Sequence, residues 1–133
     1  LLWISPVVPM TGDHAQRILD ITAPIFARYG FEQLVTFTLL TERAMVAIMN
    51  VSFDKSEQEE SARAVECYDA LFEAVFKDGY VPYRVSLRGL PKLVVENDPF
   101  WETACKIKRA LDPNDIIARG RYVPPLDGPT GQK

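Results

Sequence analysis

Apolar residues recur at helical spacing in three stretches of this chain. Ala15, Ile18, Leu19, Thr22, Ile25, Phe26 and Tyr29 form the first stripe and predict a helix that Asp13 caps and that runs to Tyr29. Pro24 lies inside it, removes a backbone donor and predicts a kink near Asp20, and Gly30 supplies a left-handed stop. Ala62, Val65, Tyr68, Phe72, Val75 and Phe76 form the second stripe. Ser56 and Glu59 before it read as a capping box, Glu57, Glu59 and Glu60 suit the positive end of the helix dipole, and Gly79 ends the helix. The third stripe, Phe100, Trp101, Ala104, Ile107, Lys108 and Leu111, opens on Asp98 as cap with Pro99 in the first turn and stops at Asp112-Pro113.

Strand patterns fill most of the remainder. "LLWISPVV" reads as one strand in which Pro6 forces an edge or a bend. "EQLVTFTLL" and "AMVAIMNVSFD", joined by "TER", predict a hairpin. Alternation puts Leu34, Thr36 and Thr38 on one face of it and Val35, Phe37 and Leu39 on the other. Neither face is strongly polar, so both are expected to be covered. "YRVSLRGLPKLVVEN" is irregular. The order is β-α-β-β-α, then an irregular segment, then a C-terminal helix. It predicts the α+β class, an antiparallel sheet with helices packed on it. One domain is expected over residues 1–122, followed by a Pro/Gly-rich tail at 123–133.

Composition narrows the chemistry. A net charge of −3 gives no electrostatic reason for nucleic acid or an anionic membrane as partner. No apolar run approaches the roughly 20 residues that span a bilayer. A soluble protein is expected, with cytoplasm and periplasm both open. Cys67 and Cys105 fall in predicted helices without metal-ligand spacing and are expected as buried free thiols. His14, the single histidine, is expected to be exposed, and one histidine without a Cys or carboxylate cluster makes no metal site. No nucleophile elbow, Walker motif or dinucleotide fingerprint is present. The chain opens inside an apolar run without Met, so a piece of a longer polypeptide is expected.

One pair remains to be explained. Tyr83-Arg84 sits in "DGYVPYRVSL", after the second helix. A regular strand would send the two side chains to opposite faces, whereas an irregular stretch lets them converge. Converged, a phenol hydroxyl and a fixed cation would stabilise one anionic oxygen, such as a phenolate. The plainer alternative is a core tyrosine beside a surface arginine in an ion pair.

Three segments carry a resemblance that bears on this choice. "WISPVVPMTGDHA", "GYVPYRV" and "ALDPNDIIARGRY" are similar, in this order and spacing, to segments of the vanillyl-alcohol oxidase / 4-cresol dehydrogenase family of flavoproteins. The first resembles its Ser-Pro-x-x-Pro-x-x-Gly entry into a helix. The second resembles its Gly-aromatic-x-x-Tyr-Arg segment, and the third its Leu-Asp-Pro-Asn-Gly-Ile-Leu-Ala-Pro-Gly-Arg ending. The third is shared widely among flavin-linked oxidases; the second narrows the group to those acting on para-substituted phenols. The likeness runs from Leu2 to about Tyr122 and corresponds to the C-terminal, substrate-binding (cap) part.

The resemblance implies a specific chemistry. Members bind FAD in a large N-terminal domain, which this chain lacks. They oxidise 4-alkylphenols or 4-hydroxybenzylic alcohols, the phenolate losing a hydride from its benzylic carbon to form a quinone methide. Tyr83 and Arg84 inherit the grip on the phenolate oxygen. Trp3, Thr36, Ile48 and Asn50 match pocket-lining positions, and Asn50, read as buried, must find hydrogen-bond partners. Asn114, Arg119 and Arg121 fall in the ending implied to approach the cofactor. The implied partners are a phenolic substrate, the FAD-binding domain, a cytochrome c or oxygen as electron acceptor, and further copies of the same protein as a homo-oligomer.

Departures from the pattern matter as well. Leu1 falls about where many relatives attach the flavin through a histidine. Leucine cannot form that bond, which leaves a noncovalent flavin or a shifted register at this end. Asp115 replaces the turn glycine, and asparagine or aspartate tolerates the left-handed backbone needed there. Arg119 replaces a proline and, with Arg121, suits a flavin phosphate or an acidic partner. Two other readings stay open: a non-catalytic α+β association module, and the cap of a flavin-linked oxidase with a non-phenolic substrate.

Overall fold

The sheet is antiparallel and centred on its longest strand. In the computed structural model, which describes residues 1–126, β1 (Leu2–Ile4) and β2 (Val7–Pro9) both pair with one edge of β4 (Ala44–Val51), and β3 (Leu34–Leu39) pairs with the other. The one strand expected in "LLWISPVV" is therefore two. Leu2, Trp3 and Ile4 face Val51, Asn50 and Met49, while Val7, Val8 and Pro9 face Val46, Met45 and Ala44. The register does not slip between them. Pro6 still accepts from the Ala47 amide at 3.1 Å but has no amide to return, so the ladder opens at that point. The hairpin forms as expected, with Leu34 opposite Asn50 and Leu39 opposite Met45.

The chain divides into two compact units, Leu1–Arg84 and Val85–Lys133. In the first, α1 (Gly12–Tyr29) and α2 (Gln58–Lys77) pack on each other, α2 also meeting β1 and β4, and α1 meeting β2. Ile18 and Phe26 of α1, Leu71, Phe72 and Val75 of α2, and Ile4, Val8, Ala47, Met49 and Val51 of the sheet are buried. These sheet residues alternate along their strands, so the core lies on one face of the sheet. The other face is only partly closed, contrary to the expectation that both would be covered.

Local signals set the helix ends, some of them differently from the sequence reading. Thr11, not Asp13, caps α1: its extended backbone lets the hydroxyl accept from the His14 amide at 3.4 Å. The helix continues across Pro24, and the buried Thr22 hydroxyl donates to the Ile18 carbonyl at 2.7 Å. The Ser56–Glu59 capping box does not form. Glu57 is the cap without a side-chain bond, and Ser56 instead bonds Asp54, whose own amide donates to Glu60 at 3.1 Å. Both helices close on a left-handed glycine: Gly30 at φ 70° and Gly79 at φ 89°.

The second unit holds the short α3 (Leu90–Leu93) and α4 (Pro99–Leu111). Asp98 caps α4 as expected, accepting from the Phe100 amide at 2.8 Å. Its apolar stripe is not buried, however: Phe100, Ile107 and Leu111 are exposed. Amphipathic spacing predicts a helix correctly without saying whether anything covers it. Residues 123–126 of the expected tail are described, and the rest of it, 127–133, lies outside the described residues.

Candidate functional site

The half-open face of the sheet gathers most of the expected site residues. Residues opposite one another in register share a face. Trp3 lies beside Asn50, Asn50 beside Leu34, and Ile48 beside Thr36, so Trp3, Thr36, Ile48 and Asn50 lie on one face. It is the face away from the helices. Trp3 is 42% exposed, and Ile48 and Asn50 are half-buried. Asn50 is thus not the enclosed amide expected from "VAIMNVSF". It can stay without a partner among the described residues because water reaches it.

The Tyr83-Arg84 segment reaches this face as an added, irregular edge. The Val7 amide donates to the Val81 carbonyl at 2.9 Å, and the Tyr83 amide donates to the Ser5 carbonyl at 3.2 Å. These two bonds flank an antiparallel bridge between Pro6 and Pro82. Both prolines sit at the pair that needs no amide on that side, which explains how two of them can face each other in a sheet. Burial then alternates: Tyr80 and Pro82 are buried, while Val81 and Tyr83 are 48% and 56% exposed. Period-2 alternation puts Val81 and Tyr83 on the face of Ser5, Val7 and Trp3. The chain bends at Tyr83-Arg84, and Arg84 is also exposed. Among the described residues neither side chain has a hydrogen-bond or ion-pair partner. Tyr83 is therefore not a core tyrosine, nor Arg84 half of an ion pair.

The expected cofactor residues lie in the second unit. Asp112 organises the turn that carries them. It is paired with Lys108 and accepts the amides of Ile116 at 3.1 Å and Ile117 at 2.8 Å. The Lys108 ammonium, then those amides, hold its carboxyl down to about 2. Asp115 has φ 51°, the left-handed backbone foreseen for it, and lies 3.3 Å from Lys108 and 3.4 Å from Arg119. Asn114 and Arg119, with Arg109 and Asp115, line an open pocket of about 520 Å³. Arg121 instead lies over the Tyr122 ring at 5.9 Å. The pocket is too small for a whole dinucleotide, but its guanidinium and amide groups suit one anionic end of such a molecule.

Three residues outside the expected set belong to the site's frame. His14 is not exposed as foreseen: its Nδ1 meets the Tyr80 hydroxyl at 2.8 Å. Tyr80 occupies the aromatic position of "GYVPYRV", the one sequence signal that could have marked it. Ser5 is fully buried, and among the described residues its hydroxyl has no partner. Cys67 is buried as expected, which pushes its thiol up to about 11, but Cys105 is only half-buried.

Known proteins resemble this chain in sequence and in fold. No protein-family model matches the chain. A 1'-carboxy-chondrochloren decarboxylase of Chondromyces crocatus is 32% identical over 121 residues, which are 91% of this chain and 22% of that protein. The 4-cresol dehydrogenase [hydroxylating] flavoprotein subunit of Pseudomonas putida is 30% identical over 121 residues, 90% of this chain and 23% of that one. The crystal structure of p-cresol methylhydroxylase with substrate bound superposes with a TM-score of 0.84 at 29% identity, covering 96% of this chain and 25% of the other. In sequence and fold, this chain is similar to one part of the 4-cresol dehydrogenase flavoprotein subunit. A 4-ethylphenol oxidase from Gulosibacter chungangensis, in complex with isoeugenol, shares the fold at a TM-score of 0.81. The chain spans about a quarter of the length of these relatives or slightly less. Among the described residues no helix is long and apolar enough to cross a membrane, and no group of three His, Cys, Asp or Glu is placed to hold a metal.

Proposed function

We propose that this chain is the substrate-binding portion of an FAD-dependent oxidoreductase acting on 4-alkylphenols or 4-hydroxybenzylic alcohols. The observation that carries the reading is the exposed, unpartnered Tyr83-Arg84 pair at the edge of a sheet face that also bears Trp3, Thr36, Ile48 and Asn50. Tyr83 donates a hydrogen bond to the phenolate oxygen and Arg84 sets a fixed positive charge beside it. Together they favour the deprotonated phenol near neutral pH. Negative charge on that oxygen pushes electron density toward the para carbon and eases departure of a benzylic hydride. Trp3 and Ile48 supply apolar surface for the ring, and the Asn50 amide offers a polar contact to the para substituent. FAD, when bound, supplies the hydride acceptor. Arg119 and Asn114 would hold its anionic end, and Arg121 would add a second guanidinium to that part of the chain. A phenolic substrate, an FAD-binding domain, a cytochrome c or oxygen as electron acceptor and assembly as a homo-oligomer complete the reading.

The test is turnover of 4-cresol by the flavoprotein carrying this chain. Tyr83→Phe and Arg84→Ala are each expected to lower kcat roughly a hundredfold, the scale of one lost donor at a developing charge. Near-normal turnover in both variants would remove the phenolate role and favour a non-phenolic substrate or a pure association module. A second reading rests on the Chondromyces relative, a decarboxylase. Release of carbon dioxide from a phenol carrying a para carboxyalkyl group would favour it.

A further inference from the structure

The segment carrying Tyr83 and Arg84 has little structure of its own. Beyond α2 it is tied to the sheet by two backbone bonds, and Pro82 contributes no amide to a third. Its root is held differently. The Tyr80 amide donates to the Val75 carbonyl at 3.0 Å and closes α2. The Tyr80 ring is 6% exposed, stands edge-on to His14 with centroids 5.8 Å apart, and meets His14 Nδ1 through its hydroxyl at 2.8 Å. Two residues earlier, Asp78 takes both Arg17 Nε at 3.0 Å and an Arg17 terminal nitrogen at 2.7 Å. Both ties run from the first turns of α1 to the end of α2.

We propose that Tyr80 is a positioning residue for the Tyr83-Arg84 pair, acting through its hydroxyl on His14, with Arg17 on Asp78 as a second tie. The reason is parity. Tyr80 and Pro82 point inward and Val81 and Tyr83 outward, so a slip of one residue would turn Tyr83 away from the site face. Three residues of extended chain reach only about 10 Å, so fixing the Tyr80 hydroxyl limits where Tyr83 can go. The contact does not depend on the charge of His14, because a hydroxyl both donates and accepts. This role rests on the reading of Tyr83 and Arg84 as the phenolate grip, but it can be tested apart from it.

The test is amide hydrogen exchange, read residue by residue by mass spectrometry on the flavoprotein carrying this chain. Tyr80→Phe keeps the ring and removes the hydroxyl; His14→Leu removes its partner. Each is expected to speed exchange of the Tyr83 and Val7 amides about tenfold, the scale of one lost hydrogen bond. The double variant should be no faster than either single one, and the Thr36 and Ile48 amides between β3 and β4 should not change. A merely structural loss would move all of them together with the urea midpoint. If Tyr80→Phe does not fold, Arg17→Gln, which breaks the second tie, is read in the same way. Unchanged exchange at Tyr83 overturns the role, whatever happens to phenols. Faster exchange with unaltered 4-cresol binding by the flavoprotein upholds the clamp and counts against the phenolate reading instead.

Discussion

Tyr83 and Arg84 owe their position to neighbours with no chemistry of their own. Ser5 and Val7 give backbone bonds, Pro6 and Pro82 pass each other without needing amides, and Tyr80 anchors the root. The pair was legible in the sequence because Tyr-Arg follows a helix-ending glycine in a recognisable segment. Its support was not, since His14 and Tyr80 lie 66 positions apart and only the fold joins them. Asp115 shows the opposite case: a left-handed residue in "DPND" was readable from residue type alone. Asp112 beside it carries a pH prediction. Its carboxyl is held at about 2 by Lys108, below the ordinary carboxylate value of about 3.9. A depressed carboxylate stabilises the fold above its unfolded value and loses that contribution as pH falls through its folded one. Protection of the Ile116 and Ile117 amides, relative to their intrinsic exchange rates, should therefore fall between about pH 4 and pH 2, and Lys108→Met should move that transition to higher pH. An NMR-monitored acid titration checks both.

At the scale of elements, periodicity predicted α1, α2, α4 and the hairpin, because each repeats apolar residues at its own spacing over many positions. Caps were less readable. Thr11 and Asp13 can both cap a helix, and only the backbone angles at Thr11 decide between them. Ser56 likewise prefers Asp54, two residues away, to the expected box. The exposed stripe of α4 could not be foreseen, because burial depends on what lies opposite and spacing does not record it. The packing of α2 gives a prediction at this scale. Phe72 is 1% exposed, with the Phe76 ring 6.1 Å and the Tyr68 ring 6.4 Å from its own. Phe72→Ala should destabilise the first unit by about 3–5 kcal/mol, read as a lower urea midpoint, since the cavity can collapse only partly.

At the scale of the molecule, the fold of the first unit follows from one central strand. β4 pairs on both edges, its core-facing residues meet two helices, and its other face stays half-open. That asymmetry puts the expected pocket residues together and leaves the Tyr83 ring at their edge, with Arg84 exposed next to it in the chain. Its likeness to the 4-cresol dehydrogenase flavoproteins extends over nine tenths of the chain. The most direct measurement is the ultraviolet difference spectrum of 4-cresol added to the flavoprotein carrying this chain, at pH 7. The free phenol is protonated at that pH, because phenols ionise near 10. A phenolate band is expected on binding, lost in Arg84→Ala and weakened in Tyr83→Phe. Binding of 4-cresol as the neutral phenol, or an undiminished phenolate band in Arg84→Ala, would contradict the phenolate role.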